Sequence, residues 1–514
     1  MLEEGLREKT RNLPKRINGQ RVQFLRAYGN SMRYPREPGK ESRKSLAQSA
    51  HFHVQFWRFG KGILMAMREV VIVDGVRSPF VKAGADLGKV RAHELGRVPM
   101  RELLERLEIA DGFGSKARVK VDEVCIGNVG SPEDAANVSR VIAMQAGLHK
   151  SIPGYSVHRN CASGMEAIMQ AWIKIGTGQA DVMLVGGVES MSGMPLIYNP
   201  EAVEFFGRMM RAKTPLQQIS KMMGAPVGRL SAILKGKPTG FMKPIVAIQE
   251  GLTDPFCGMN MGQTADLLAK EWRISREDQD KFALESHRKA VASTENGKLR
   301  EEIVPLPLPM KYSSSINEDI GPRKGQTIEQ LAKLKPYFDR VNGTVTVGNA
   351  CPITDGAAML AVMSEERAKS AGYKILGRIK TCVFTGHEPE RMGLGPAYAI
   401  AAALKRTGMS LKQMDVVEIN EAFAAQVISV TKALSSKDWC SEKLGVSDAV
   451  GEVDPAKLNP NGGAIALGHP VGSSGARIVL TALKEMQRSN KQFGIASLCI
   501  GGGQGGAVVV ERGA

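Results

Sequence analysis

Arg68-Glu69-Val70-Val71-Ile72-Val73-Asp74-Gly75-Val76-Arg77-Ser78-Pro79-Phe80 is a β-branched run that ends in turn chemistry. A short apolar run closed by Gly, Ser and Pro reads as a buried strand entering a turn. Strands and helices alternate from there to about residue 190. Residues 121–126 and 181–185 read as short buried strands, and 161–175 as a helix with Met165, Ile168, Met169 and Trp172 on its apolar side. Such alternation predicts the α/β class. A similar succession returns after about residue 374. There 412–419 leads by strand into Asn420-Glu421-Ala422-Phe423, 475–486 is a helix behind a glycine-rich loop, and 494–498 and 507–511 are strands. The sequence thus predicts two similar α/β halves. Between them, about 191–350, lies a segment rich in Met, Pro and basic residues, with a helix over 276–292.

Upstream of Met67 the character changes. Residues 1–66 mix Arg, Ser, Gly and Pro without apolar periodicity, and hold 14 Lys/Arg against 5 Asp/Glu. They carry more than half of the net charge of +17. Three readings stay open: translated upstream sequence ahead of a start at Met65 or Met67, a disordered basic extension, or an organellar transit peptide. Arginines favour the last; Glu3, Glu4 and Glu8 oppose it. Residues 205–243 hold a second concentration, namely Arg208, Arg211, Lys213, Lys221, Arg229, Lys235, Lys237 and Lys243 with no acidic residue. Nucleic-acid binding would want aromatic residues between these charges, and Phe205, Phe206 and Phe241 sit only at the edges. No run approaches the roughly 18 apolar residues of a membrane span. The seven cysteines are scattered without a CxxC pair, which predicts reduced thiols in an intracellular setting and no structural metal.

Two of those cysteines stand in small-residue motifs suited to chemistry. Cys161 follows Asn160 and precedes Ala162-Ser163-Gly164. At the opening of a helix, the partial positive charge would favour a thiolate, and free N–H groups would bind an oxyanion. A buried structural cysteine is the competing reading. His469, in Gly468-His469-Pro470, stands in a turn where it can serve as base toward a thiol or be a surface-loop histidine. Cys499 ends an apolar strand before Gly501-Gly502-Gly503. Those glycines are not a P-loop, because no Lys-Ser/Thr follows them. Asn420, at a strand end, can hold a water or a carbonyl, or simply cap the next helix.

Together these motifs resemble the thiolase family over about residues 67–514. The resembling stretches run in order through 160–166, Gly186-Gly187-Val188-Glu189-Ser190-Met191-Ser192, Met261-Gly262-Gln263-Thr264-Ala265, 343–346, 355–358, 392–396, 420–423, 468–470 and 499–503. The resemblance implies the thiolase fold, two similar α/β halves in five layers (αβαβα) with an inserted loop or lid domain. The expected division is 67–190 with 351–373, 191–350 as the loop domain, and 374–514. It implies Cys161 as acyl-accepting nucleophile, His469 as its base and part of an oxyanion hole, and Cys499 as the acid/base at Cα. Asn420, through a water, and the Gly501 N–H complete the oxyanion holes. Coenzyme A would be a substrate, no cofactor would be bound, and Met261, Cys351 and Phe423 would contact CoA. Cys351 departs from the usual serine or threonine.

The finer branch is divided. The insert after Met194 resembles the β subunit of the trifunctional β-oxidation complex, whereas Asn420 is typical of the other thiolases. The expected reaction is degradative thiolysis of 3-ketoacyl-CoA. The alternatives are a biosynthetic acetyl-CoA acetyltransferase and, remotely, a non-catalytic lipid-binding relative. A homodimer or homotetramer is implied, with a hydratase/dehydrogenase subunit as a candidate partner. The insert suits a lid, alone or with peripheral membrane contact through 205–243. A cytoplasmic location is expected, or a mitochondrial one if 1–66 is a transit peptide.

Overall fold

A computed structural model describes residues 56–59, 63–214, 216–217, 244–308 and 311–513. The leader up to residue 55 and most of the basic run 205–243 lie outside them. The strands β1 (Phe56–Phe59) and β2 (Ile63–Ala66) form an antiparallel pair inside the stretch that the sequence reading left without structure. The sequence between them, Gly60-Lys61-Gly62, is a turn signal by composition.

The first half runs through β3 (Val70–Arg77), β4 (Val81–Lys82), α1 (Ala92–Arg106), β5 (Glu123–Gly127), α2 (Val138–Ala146), β6 (Gly154–Val157), α3 (Ser163–Gly176) and β7 (Val182–Glu189). The inserted segment holds β8 (Leu196–Ile197), α4 (Pro200–Met210), β9 (Ile245–Val246), α5 (Met261–Glu271), α6 (Arg276–Glu295), β10 (Leu306–Leu308) and β11 (Lys311–Ile316). β12 (Thr354–Ser364) then returns to the first sheet. The second half contains β13 (Gly377–Gly386), α7 (Gly395–Thr407), β14 (Val416–Ile419), α8 (Ala424–Ser435), α9 (Val471–Arg488), β15 (Phe493–Ile500) and β16 (Gln504–Arg512).

The strand order is β14-β15-β16-β13-β3-β12-β7-β5-β6, with β4 added on β12. Each half repeats one scheme: β3-β12-β7-β5 corresponds to β13-β16-β15-β14, and α3 and α9 each precede the equivalent strand. The halves meet at β3 and β13 through only Gly377–Ile72 and Arg378–Val71. Three cores separate the layers. α1 and α2 cover one face of the first sheet, α3 and α9 fill the space between the sheets, and α7 and α8 cover the far face of the second. Helix, sheet, helices, sheet, helix is the expected αβαβα sandwich. All eleven residues of β12 are buried, with Ala357, Met359, Ala361 and Met363 facing one core and Ala358, Leu360 and Val362 the other. A strand covered on both faces reads as a continuous apolar run. Among the described residues no helix is long and apolar enough to cross a membrane.

Candidate active site

The two central helices touch at their N-termini because glycines stand at the crossing. A Cβ on Gly164 of α3 would lie 2.9 Å from both the Gly472 carbonyl and the Ala476 nitrogen of α9. One on Gly475 would lie 2.6 Å from the Met165 nitrogen. Cys161 and His469 each precede their glycine, Gly164 or Gly472, by the same short stretch, so the crossing carries both to one end of the central layer. In an exposed helix Gly475→Ala would stabilise. Here the clash should cost about 2–3 kcal/mol, read as a lower urea midpoint at unchanged m, with loss of activity beyond the unfolded fraction.

Cys161 sits in the turn before α3, partly exposed. Its neighbour Asn160 adopts φ +43, a left-handed conformation that Asn tolerates. Asn160 Nδ2 donates to the Gly501 carbonyl at 2.9 Å, and the Gly501 N–H points at the Cys161 sulfur. The expected thiolate is not what burial produces. α3 begins at Ser163 with Ala162 as N-cap, so Cys161 lies outside the helix. Desolvation outweighs the Gly501 N–H and pushes the thiol up to about 11, with Glu189 adding to the rise.

His469 is 6% exposed, which removes the surface-loop reading. Its Nδ1 lies 2.6 Å from Ser474 Oγ, and that hydroxyl lies 3.0 Å from the Pro470 carbonyl, which can only accept. Ser474 therefore donates to Pro470 and accepts Nδ1–H, leaving the lone pair on Nε2. Asn420 Nδ2 faces that Nε2 at 3.5 Å. Asn420 does not cap α8, whose N-cap is Phe423. Burial and the Arg477 charge lower His469 to about 3. Both shifts favour a neutral imidazole and a neutral thiol at rest. Alkylation of Cys161 by iodoacetamide should climb roughly tenfold per pH unit between about pH 7 and 9. A plateau with its midpoint near 6.5 would instead show a resting histidine–thiolate pair.

Cys499, the penultimate residue of β15, is 1% exposed. It packs in an apolar cluster with Met261, Ala350, Met392, Ala422 and Phe423. Phe423 in turn meets Phe338 edge-on at 5.8 Å. Burial raises the Cys499 thiol strongly, and Cys161 and Cys351 raise it further. Cys351, whose N–H donates to Ala422 at 3.0 Å, is pushed up to about 12 by burial and by Cys161. The next carbonyl, Pro352, accepts the His469 N–H at 3.3 Å. Three thiols and the histidine loop therefore converge. Met261 completes the set: a Cβ on Gly501 would stand 3.6 Å from its sulfur. Gly503 has φ +71 and would place a Cβ 2.3 Å from the His387 carbonyl, so glycine is required there.

Two supports escaped the sequence reading. Ser474 selects the His469 tautomer. Glu189, at the end of β7, accepts from Val129 N at 3.0 Å, Gly130 N at 2.9 Å, Gly472 N at 3.0 Å and Asn128 Nδ2 at 3.0 Å. It pins the first turn of α9 to the first sheet. A buried acid closing an apolar strand was the available signal.

Two family models match almost end to end: "Thiolase, N-terminal domain" over residues 70–366 and "Thiolase, C-terminal domain" over 373–512. The chain belongs to the thiolase family. A 3-ketoacyl-CoA thiolase of Pseudoalteromonas translucida is 36% identical over 443 residues, 86% of this chain and 96% of the relative. A 3-oxoadipyl-CoA/3-oxo-5,6-dehydrosuberyl-CoA thiolase of Escherichia coli is 39% identical over 449 residues, 87% of this chain and 100% of the relative. Human mitochondrial 3-ketoacyl-CoA thiolase in complex with CoA superposes with a TM-score of 0.72 at 33% identity, covering 87% of this chain and 98% of that one. This thiolase is accordingly an acyltransferase.

Proposed function

We propose that this thiolase cleaves 3-ketoacyl-CoA with coenzyme A, through an acyl group carried on Cys161. The gathering of Cys161 and Cys351 about Cys499, with the His469 backbone bonded to Pro352 next to Cys351 and Nε2 facing Asn420, carries the reading. Cys161 sulfur bonds to the 3-keto carbonyl carbon and passes its proton to His469 Nε2. The Cα–Cβ bond breaks, its electrons form the acetyl-CoA enolate, and Cys499 gives Cα a proton. The thiol of free CoA then attacks the acyl-Cys161, Cys499 takes that thiol's proton, and the shortened acyl-CoA leaves as His469 returns its proton to Cys161. Asn420, through a water, and His469 hold the enolate oxygen. The Cys161 and Gly501 N–H groups hold the thioester oxyanion. Met261, Cys351 and Phe423 line the path of the CoA arm.

Thiolysis of acetoacetyl-CoA against a long-chain 3-ketoacyl-CoA, followed at the enolate absorbance, tests this. Activity on neither sinks it. A strong preference for acetoacetyl-CoA points to the biosynthetic acetyl-CoA acetyltransferase reading, and a preference for the long chain to β-oxidation.

The assembly proposed is a homodimer or homotetramer, supported by the outer edge of β6, which pairs with no further strand among the described residues and adjoins the Cys161 turn. A hydratase/dehydrogenase subunit remains the proposed heterologous partner. The proposed location is cytoplasmic with peripheral membrane contact; a mitochondrial location goes with the transit-peptide reading of 1–66. Exposed Leu196, Ile197, Tyr198, Val203, Phe206 and Met210 support the contact, beside the basic run beginning at Arg208. Salt-sensitive flotation with anionic but not neutral vesicles is the expected result, and equal recovery with both counts against it.

A further inference from the structure

A buried ion pair behind the site has no part in the chemistry above. Arg477 of α9 is fully buried and meets Glu418 of β14, itself 1% exposed, at 3.3 Å through Nη1 and Oε2. That single contact leaves much unpaired. Arg477 Nε and Nη2, Glu418 Oε1 and Asn420 Oδ1 are all buried without a partner among the described residues. Two nitrogen donors on Arg477 and two oxygen acceptors, one on Glu418 and one on Asn420, thus stand unpaired among the described residues.

These residues lie along the facing sides of β14 and α9. Glu418 and Asn420 are two apart on the β14 line, so both side chains leave on the same face. Asn420 faces His469 at 3.5 Å, and His469 bonds Ser474 at 2.6 Å. Ser474 and Arg477 are three apart on α9 and share a helix face. Arg477 returns to Glu418. A buried charge with unmet N–H groups is costly unless water meets them, and a polar pocket with several convergent partners is where internal water resides.

We propose that the Arg477–Glu418 pair positions the enolate site, holding internal water against Asn420 Oδ1 and so fixing which end of that carboxamide faces the reacting oxygen. An asparagine side chain has one donating and one accepting end. Only the Nδ2 end can donate to an enolate oxygen or to the water that bonds it. If Oδ1 is supplied from Arg477 through water, Nδ2 is kept at the His469 side. Arg477 also bears on Glu421 and on His469, and Glu302, Glu421 and Glu485 surround Glu418. The pair is therefore the charge centre beneath the site, and both residues act through Asn420 as positioning residues.

The inference rests on the thiolase reading of Asn420 and His469, and its test separates the two. Arg477→Met with Glu418→Leu replaces the pair by apolar groups of similar volume, a change that buried ion pairs often tolerate. Arg477→Lys is the second variant, retaining the charge while losing the fork of donors. Acetylation of Cys161 by acetyl-CoA should stay within about threefold of wild type in both, because the acylation oxyanion lies at Cys161 and Gly501, away from Asn420. Exchange of the acetyl-CoA Cα hydrogens in D2O should fall about 10- to 100-fold. Exchange at the wild-type rate in folded Arg477→Lys would overturn the inference alone. Absent acetylation and exchange in the unsubstituted protein would overturn the functional reading and the inference together.

Discussion

Replacing Cys161 by alanine should abolish thiolysis, by about 10,000-fold or more, the scale on which a covalent nucleophile is lost. Without the sulfur the acyl group has no covalent carrier, on the proposed mechanism. The fold should hardly notice. Cys161 sits in a turn outside α3, and its sulfur receives the backbone N–H groups of Gly501 and of Cys161 itself. A urea midpoint shifted by no more than about 1 kcal/mol is expected. Mass spectrometry after incubation with acetyl-CoA should show a 42-Da adduct, roughly the mass of an acetyl group, on wild type and none on the variant. An adduct of undiminished yield would place the nucleophile elsewhere.

Cys499→Ala should separate the two halves of the reaction. Acetylation from acetyl-CoA should persist, because it needs only Cys161, His469 and the Gly501 N–H. Thiolysis and Cα hydrogen exchange should fall about 1,000-fold, within the range for removing a positioned acid/base. The stability cost should be modest, because an alanine in the cluster of Met261, Ala350, Met392, Ala422 and Phe423 loses one sulfur atom. Equal losses in acetylation and exchange would mean that Cys499 shapes the pocket rather than moving a proton.

Much of this site could be read from short motifs, because the chemistry demands small residues around each reactive atom. Glycines at 164, 472, 475 and 503 are sterically required, and such requirements leave a local trace in sequence. The buried strands β3 and β7 were equally open, since continuous apolar runs have few other uses, whereas β12, just as apolar, was not read as a strand. What escaped was what depends on tertiary encounter. The ionisation of Cys161 is set by desolvation, which no local pattern expresses, so helix position suggested a thiolate where burial gives a thiol. Ser474, Glu189, Arg477 and Glu418 are ordinary polar residues until α9 is placed between two sheets. The β1–β2 pair was missed because the surrounding basic composition outweighed a short turn signal.

The glycine crossing of α3 and α9 has a last implication. Cys161 hangs from the helix of one sheet, His469 from that of the other, and Cys499 from the second sheet itself. Neither half alone owns a working centre. On the proposed roles the working centre lies at the seam, so a nascent chain should stay chemically silent until its final strands are in place.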